Sequence, residues 1–405
     1  MTTRARHGAI QERPYQADAE KAVFQCWEDG DAGALLVLPT GCGKTVVAGR
    51  IHQRGIDTHN RRGLMLAHRE ELIRQAAGTL RRFGLEVAIE MADQRADDYT
   101  LFNGLQPDVT IATVQTLQRA RLARRGTHEF GIITTDEAHH ARAKSYRNIY
   151  KHFKDYWHLG ITATPDRTDG RNLGAVFDKV AFEYTLRQAI QDGWLCEIEI
   201  RRAVCDVSLE NIKTTGGDYA VSWLEERIGP HVEALCRVVA GEVGDRPFVV
   251  FTPDVGCAEL AADAMTQLGF KCQALSGETP KDERRSILEA FGRGDFPGLA
   301  CADLLIEGWD APRVACVVVM RPTKSRSRYA QMIGRGTRLC PNLFGPGEHK
   351  KKFLIFDHWG NFEYFDEQYT EAEPTANRPA IQQSLFEDRI RLAEAAIAVQ
   401  DHDTF

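Results

Sequence analysis

Residues 36–45 read LVLPTGCGKT, and their reading decides the fold. The apolar run 34–38 has the continuity of a buried strand. It stops at Pro39, passes through Thr40, Gly41, Cys42 and Gly43, and reaches Lys44 and Thr45, where a helix opens. Small residues between a strand and a helix let backbone N–H groups turn inward on a phosphate chain. The lysine supplies positive charge at the β- and γ-phosphates, and the threonine hydroxyl suits a Mg²⁺ ligand. The strict pattern G-x-x-x-x-G-K-[ST] fails at its first position, where Leu38 stands, so Gly41 is expected to make the turn.

Outward from this loop, short apolar runs alternate with helix-period segments up to about residue 184. Strands are expected over 64–67, 109–112, 132–135 and 157–162, with a helix over 70–83. Continuous apolar strands alternating with helices imply an α/β fold, a mostly parallel sheet covered on both faces. In such sheets ligands sit at the carboxyl ends of the strands. A second alternating block begins near residue 231, with strands over 248–252, 271–275, 298–302, 314–320 and 353–356 and helices over 255–268 and 282–291. Between the blocks lie a strand over 197–204 and the polar stretch KTTGGD, 213–218. The expected organisation is a first domain 1–190, a connector with a small insertion 191–230, a second domain 231–370, and a linker with an amphipathic helix 371–405. That last segment is a candidate contact for a protein partner.

Composition narrows the class. At 405 residues the chain exceeds one typical core, and 43% hydrophobic with 27% charged residues is ordinary for a globular protein. No apolar run approaches the roughly 20 residues a spanning helix needs, and the N-terminus lacks the apolar core of a signal peptide, so a cytoplasmic location is expected. Ten cysteines with no C-x-x-C pair argue against a zinc ribbon or a disulfide framework. With a net charge of −6, any nucleic-acid binding must come from local basic patches.

Asp136 and Glu137 follow directly on an apolar strand. The aspartate is placed to hold Mg²⁺ opposite Thr45, and the glutamate to orient or deprotonate a water. Thr162 and Thr164, in TATP, put two hydroxyls at the next strand end, suited to coupling nucleotide state to neighbouring elements. Arg13, Tyr15 and Gln16 precede the first helix. A glutamine can read an adenine edge while an aromatic or arginine plane stacks on the base.

Taken together, RPYQ, PTGCGKT, DEAH and TAT resemble the first motor domain of a superfamily-2 helicase. The resemblance implies two tandem RecA-like domains with ATP and Mg²⁺ between them. His68 and Arg69, in HREEL, and Thr113, Gln115 and Thr116, in TVQT, match motifs that line the family's nucleic-acid track. The arginine-rich run after them, including Arg121, is a candidate for duplex backbone. In QMIGRGTR, the resemblance makes Arg335 and Arg338 the arginines that reach the γ-phosphate, with Gln331 on the phosphate or the attacking water. In ADLLIEGWD, Gly308 and Asp310 would face the cleft, and Ser276, Gly277 and Thr279 form a phosphate-contacting turn. The resemblance spans about residues 13–358 and leans to the branch with RadD-type helicases and the motors of type I and III restriction enzymes. It implies a nucleic-acid-dependent ATPase, a DNA helicase or duplex translocase. An RNA-dependent ATPase and a nucleotide-gated scaffold with little hydrolysis are the alternatives, because motor motifs contact phosphates and distinguish RNA from DNA poorly.

Overall fold

The computed structural model describes residues 12–163, 173–202, 214–215, 218–306, 308–359 and 361, apart from the side chains of Glu71, Arg202 and Thr215. Thr164 and the segment expected as linker and helix over 371–405 lie outside the described residues. The described residues up to Trp359 belong to one compact unit.

Seven strands make the first sheet: β1 (Gly33–Val37), β2 (Gly63–Ala67), β3 (Val87–Glu90), β4 (Val109–Thr113), β5 (Ile132–Asp136), β6 (Trp157–Thr162) and β7 (Lys179–Glu183). They run parallel in the order β3-β4-β2-β5-β6-β1-β7. Every residue of β1, β2 and β4 is buried, as a parallel sheet covered on both faces requires. On β1 the alternation is explicit: Ala34, Leu36 and Leu38 enter one core, Leu35 and Val37 the other. Helices Pro14–Glu28 and Lys44–His59 close the first of these cores. Leu38 is fully buried there and its N–H donates to the Thr162 carbonyl at 3.0 Å. The position that would carry the first P-loop glycine, one residue past β1, is therefore still core.

The second sheet is formed by β8 (Glu197–Arg202), β11 (Phe248–Phe251), β12 (Cys272–Leu275), β13 (Gly298–Cys301), β14 (Cys316–Val319) and β17 (Lys352–Asp357), in the order β12-β13-β11-β14-β17-β8. It too is parallel throughout. Two small antiparallel pairs stand outside it, β9 (Thr214–Thr215) with β10 (Asp218–Tyr219), and β15 (Cys340–Gly345) with β16 (Glu348–Lys350). Helices Val221–Ile228, Val232–Val243 and Val255–Gln267 bury their apolar stripes with one face of the sheet.

Two expectations change here. The connector strand is an edge strand of the second sheet, paired along its length with β17. Strands β3, β7, β15 and β16 had no counterpart in the sequence reading. The described cysteines are free, and all but Cys340 are buried. No described helix is long and apolar enough to cross a membrane.

Candidate active site between the two sheets

The P-loop leaves β1 and enters its helix through two left-handed residues, Gly41 at φ +90° and Gly43 at φ +75°. A side chain at Gly43 would meet Gln16 Nε2 at 2.7 Å. One at Gly41 would lie 3.0 Å from Leu195 and 3.2 Å from Arg338. The loop thus needs glycine for conformation and for close approach at both places. Pro39 is buried and ends the strand, while Thr45 lies in the first turn of the helix.

Arg13, Tyr15 and Gln16 hold this loop from outside. The Tyr15 hydroxyl donates to the Cys42 carbonyl at 2.8 Å, Gln16 Nε2 to the same oxygen at 3.3 Å, and Arg13 to the Gly41 carbonyl at 3.3 Å. Tyr15 stacks on Tyr184 with centroids 4.2 Å apart and meets Trp194 edge-on, while Arg13 lies over the Trp194 ring. The buried Tyr15 ring is therefore part of the packing and is not the base-stacking plane expected from the sequence. Gln16 is buried, and its Oε1 has no partner. An acceptor desolvated without a donor suits the exocyclic amine of adenine.

Lys44 Nζ lies 3.0 Å from Glu137 Oε1, both side chains being less than one-sixth exposed. Burial works to lower the Lys44 pKa, but the Glu137 and Asp136 carboxylates outweigh it and the net shift is upward. Asp136, buried beside Glu137, is pushed up to about 6. Glu137 sits at φ +48°, a conformation that costs a non-glycine residue about 1–2 kcal/mol. Its N–H donates to Asp136 Oδ1 at 3.0 Å, and His139 Nδ1 lies 3.5 Å from its second oxygen. Two carboxylates crowded around one ammonium, with Thr45 in the first turn of the P-loop helix, are residue types that suit a divalent cation.

From the second sheet, helix Arg326–Ile333 delivers Gln331 and the segment that follows. A side chain at Gly334 would sit 2.6 Å from Thr40 Cβ, and Thr337 Oγ1 donates to the Thr40 carbonyl at 3.4 Å. Arg338 pairs with Asp310, which is thereby placed beside the arginine. Arg335 donates to the Trp309 carbonyl, and is near enough to Lys44 to disfavour its charge. Gln331 is buried with Nε2 unpartnered, a donor suited to a phosphate oxygen. Gly308 is left-handed at φ +77°. Thr162 is fully buried, joined to the start of the loop by its carbonyl.

The other predicted residues fall into two groups. Gln115 Nε2 donates to the His68 carbonyl at 3.3 Å, and the Thr113 hydroxyl accepts from Thr116 N at 3.3 Å. His68 also packs its ring on His140, the residue after DEAH, at 5.1 Å. Arg69 stands immediately before helix Glu70–Arg82. On the second sheet, Ser276 and Thr279 hold one turn, Ser276 N donating to Thr279 Oγ1 at 3.1 Å, with open space over Gly277. Arg121 is different. It binds Glu90 at 2.7 Å and the Met91 carbonyl at 2.7 Å, and Arg125 binds the same glutamate at 2.9 Å. Glu90 is buried, so Arg121 neutralises an internal charge, which corrects its assignment to duplex backbone.

Sequence reasoning missed Leu195 and Cys196. Leu195 bridges to Arg338, and Cys196 N donates to the Thr337 carbonyl at 2.7 Å. Nothing local in TLRQAIQDGWLCE marks them, because the partners lie in the second block.

A family model described as "Type III restriction enzyme, res subunit" matches residues 9–167, and one described as "Helicase conserved C-terminal domain" matches residues 230–340. The chain thus carries a restriction-motor domain followed by a helicase C-terminal domain. It is 31% identical to IRC3 of Saccharomyces cerevisiae, named for an ATP-dependent helicase, over 81% of this chain and 49% of that protein. It is 27% identical to the type I restriction enzyme EcoKI endonuclease subunit of Escherichia coli K12, over 85% of this chain and 34% of that one. Among solved structures, an HsdR subunit fragment of a type I restriction enzyme from Vibrio vulnificus YJ016 superposes with a TM-score of 0.66 at 24% identity, covering 85% of this chain and 63% of that one. The two parallel sheets are thus tandem RecA-like domains. The chain spans about half the length of the curated relatives it matches.

Proposed function

We propose that this chain is an ATP-driven nucleic-acid motor that acts on DNA and moves along the duplex in preference to separating its strands. The observation that carries the reading is the meeting of residues 334–338 with Thr40 and Gly41 across the two sheets. A nucleotide seated on the P-loop would lie within reach of groups from both sheets. Restriction-enzyme relatives favour DNA, and the preference for translocation over unwinding rests on family analogy.

Each residue then has a task. Gln16 Oε1 accepts from the adenine amine. Lys44 exchanges its Glu137 partner for the β- and γ-phosphates, which frees the Glu137 carboxylate to take a proton from the attacking water. Thr45 and Asp136 would hold Mg²⁺, which neutralises charge on the phosphates when bound. Arg335 and Arg338 neutralise charge that develops on the equatorial oxygens, and Gln331 Nε2 donates to a phosphate oxygen or positions the water. Arg338 must first leave Asp310, so the second sheet engages only when a phosphate competes for that arginine. On the track, His68, Arg69, Thr113, Gln115, Thr116, Ser276, Gly277 and Thr279 offer ring, hydroxyl and backbone groups to phosphates without reading bases. Alternating closure and release of the two sheets would shift the grip along the strand.

The test compares phosphate release with duplex DNA, single-stranded DNA and RNA, beside triplex-displacement and strand-displacement assays. Stimulation by duplex DNA with triplex displacement and no unwinding is expected, and Lys44→Ala or Arg338→Ala should abolish it. Stronger stimulation by RNA would replace the substrate. Release at background with all three would leave a nucleotide-gated binding protein.

A further inference from the structure

Residues 320–325 join β14 to helix Arg326–Ile333, the helix that carries Gln331 and delivers Arg335 and Arg338. One carboxylate from the connector sets where that helix begins. Asp218 accepts from Thr323 Oγ1 at 2.8 Å, from the Lys324 N–H at 2.8 Å and from the Arg328 guanidinium at 3.1 Å. Thr323 Oγ1 in turn accepts from Ser325 N at 3.0 Å, and Ser325 Oγ caps the helix by accepting from Arg328 N at 3.3 Å. Lys324 also lies over the Tyr219 ring at 4.8 Å. The groups that start this helix therefore refer back to Asp218, whose side chain is only 15% exposed. A carboxylate beside a helix N-terminus is further favoured by the helix dipole.

The β9–β10 pair has two residues in each strand and joins neither large sheet. Among the described residues, its contacts with the segment 323–328 are made by Asp218 and Tyr219. The helix it positions has eight residues and is about 12 Å long, so a tilt at its start reaches Gln331 and Arg335 almost undiminished. Groups that neutralise transition-state charge must be held to about 0.5 Å.

We propose that Asp218 is a positioning residue for ATP hydrolysis: through this carboxylate the connector sets where the arginines of the second sheet meet a nucleotide held on the first. The inference rests on the ATPase reading above. Asp218 touches no reacting atom, so its loss acts on kcat and spares nucleotide binding, which the P-loop and Gln16 supply on the other sheet.

The experiment measures ATP turnover at saturating duplex DNA, and the affinity for a non-hydrolysable ATP analogue, in the parent chain and in Asp218→Ala, Asp218→Asn, Arg328→Ala and Arg338→Ala. A displacement of the arginines by an ångström costs up to about 10²-fold in rate, so Asp218→Ala is expected to lower kcat roughly 30-fold with analogue affinity within about threefold. Asp218→Asn keeps the shape and one acceptor and should fall between Ala and parent. Because the two residues share one network, Asp218→Ala should cost less in an Arg328→Ala background than it does in the parent. Unchanged kcat in both Asp218 variants, or equal losses in kcat and analogue affinity, would overturn the role. If Asp218→Ala does not fold, the same pattern in Asp218→Asn decides. A parent without DNA-stimulated turnover overturns the ATPase reading and this inference with it. An active parent, a dead Arg338→Ala and a normal Asp218→Asn overturn this inference alone.

Discussion

Glu137→Gln separates the two jobs proposed for one carboxylate. The substitution keeps the side chain's shape and an oxygen toward Lys44, and removes only charge. Two unit charges about 4 Å apart attract by roughly 4 kcal/mol at an effective dielectric of 20. After competition with water, a charged hydrogen bond of this kind retains about 1.5–3 kcal/mol. Phosphate must displace that pairing, which spans 3.0 Å between Lys44 Nζ and Glu137 Oε1 in the mostly buried pocket. Releasing Lys44 is therefore expected to tighten nucleotide binding about 10-fold, since each 1.4 kcal/mol is a factor of ten.

The same change removes the base. Losing a positioned general base costs roughly 10²–10⁴ in rate. Glu137→Gln should thus bind ATP more tightly while almost ceasing to turn it over, with opposite signs in two assays on one protein. Calorimetric titration with ATP reports the first sign, and single-turnover phosphate release in the presence of duplex DNA reports the second. The left-handed backbone at residue 137 is equally unfavourable for Gln and Glu, but the Lys44 pairing is lost from the nucleotide-free fold, so its melting temperature should fall by a few degrees. Weaker ATP binding, or turnover within tenfold of the parent, would refute the division of roles.

Gln16→Ala deletes the unpartnered buried acceptor and one bond to Cys42, so ATP affinity should fall about 10-fold with little change for GTP; a competition titration that still prefers ATP would remove Gln16 from base recognition. Glu90→Gln leaves Arg121 and Arg125 facing a neutral amide, a loss of about 3–5 kcal/mol by the measure of broken buried pairs. Thermal melting should drop by several degrees while duplex affinity at fixed salt stays level, and a selective loss of DNA binding would return Arg121 to the track. His52 and His158 are buried, and burial lowers their pKa values to about 4 and about 3. The unfolded chain therefore takes up these protons first, so their stabilising contribution is intact above about pH 6.5 and falls by about 1.4 kcal/mol per group for each pH unit below it, until the folded values are reached. Urea titrations from pH 7 to pH 4 should show that slope, and a His52→Gln variant with an unchanged slope would count against it.

The strand ends that meet at the candidate site were legible because their signals are local. LPTGCGKT and DEAH each place several functional groups within a few residues, and spacing alone brings them to strand ends. The limits are equally physical. β8 alternates as EIEIRR and so reads as a strand, but only its partner β17, far along the chain, tells which sheet it joins. β7 is a half-exposed edge strand whose apolar run, residues 180–182, is too short to announce it. The arginines after TVQT looked like phosphate ligands because Glu90, which holds Arg121, lies 31 residues away on another strand end. Asp218 was part of a polar loop until the segment 323–328 came to rest on it.

Gly41 ties these observations together. Its missing side chain admits Leu195 and Arg338 at once, one from the connector and one from the second sheet. The chain changes allegiance at that point: Leu195 is buried in the core of the first sheet, and the next residue, Cys196, bonds the Thr337 carbonyl beside the second. Separating the sheets breaks the Thr337–Thr40 contact but leaves Cys196 and Thr337 moving as one. The covalent crossing and the arginine segment therefore leave the first sheet side by side, within contact distance of the loop that binds phosphate. A pivot so close to the P-loop gives nucleotide a short lever on the arginines and a long one on the far ends of the two sheets. That geometry suits a motor in which small changes at the phosphate become larger steps along the track.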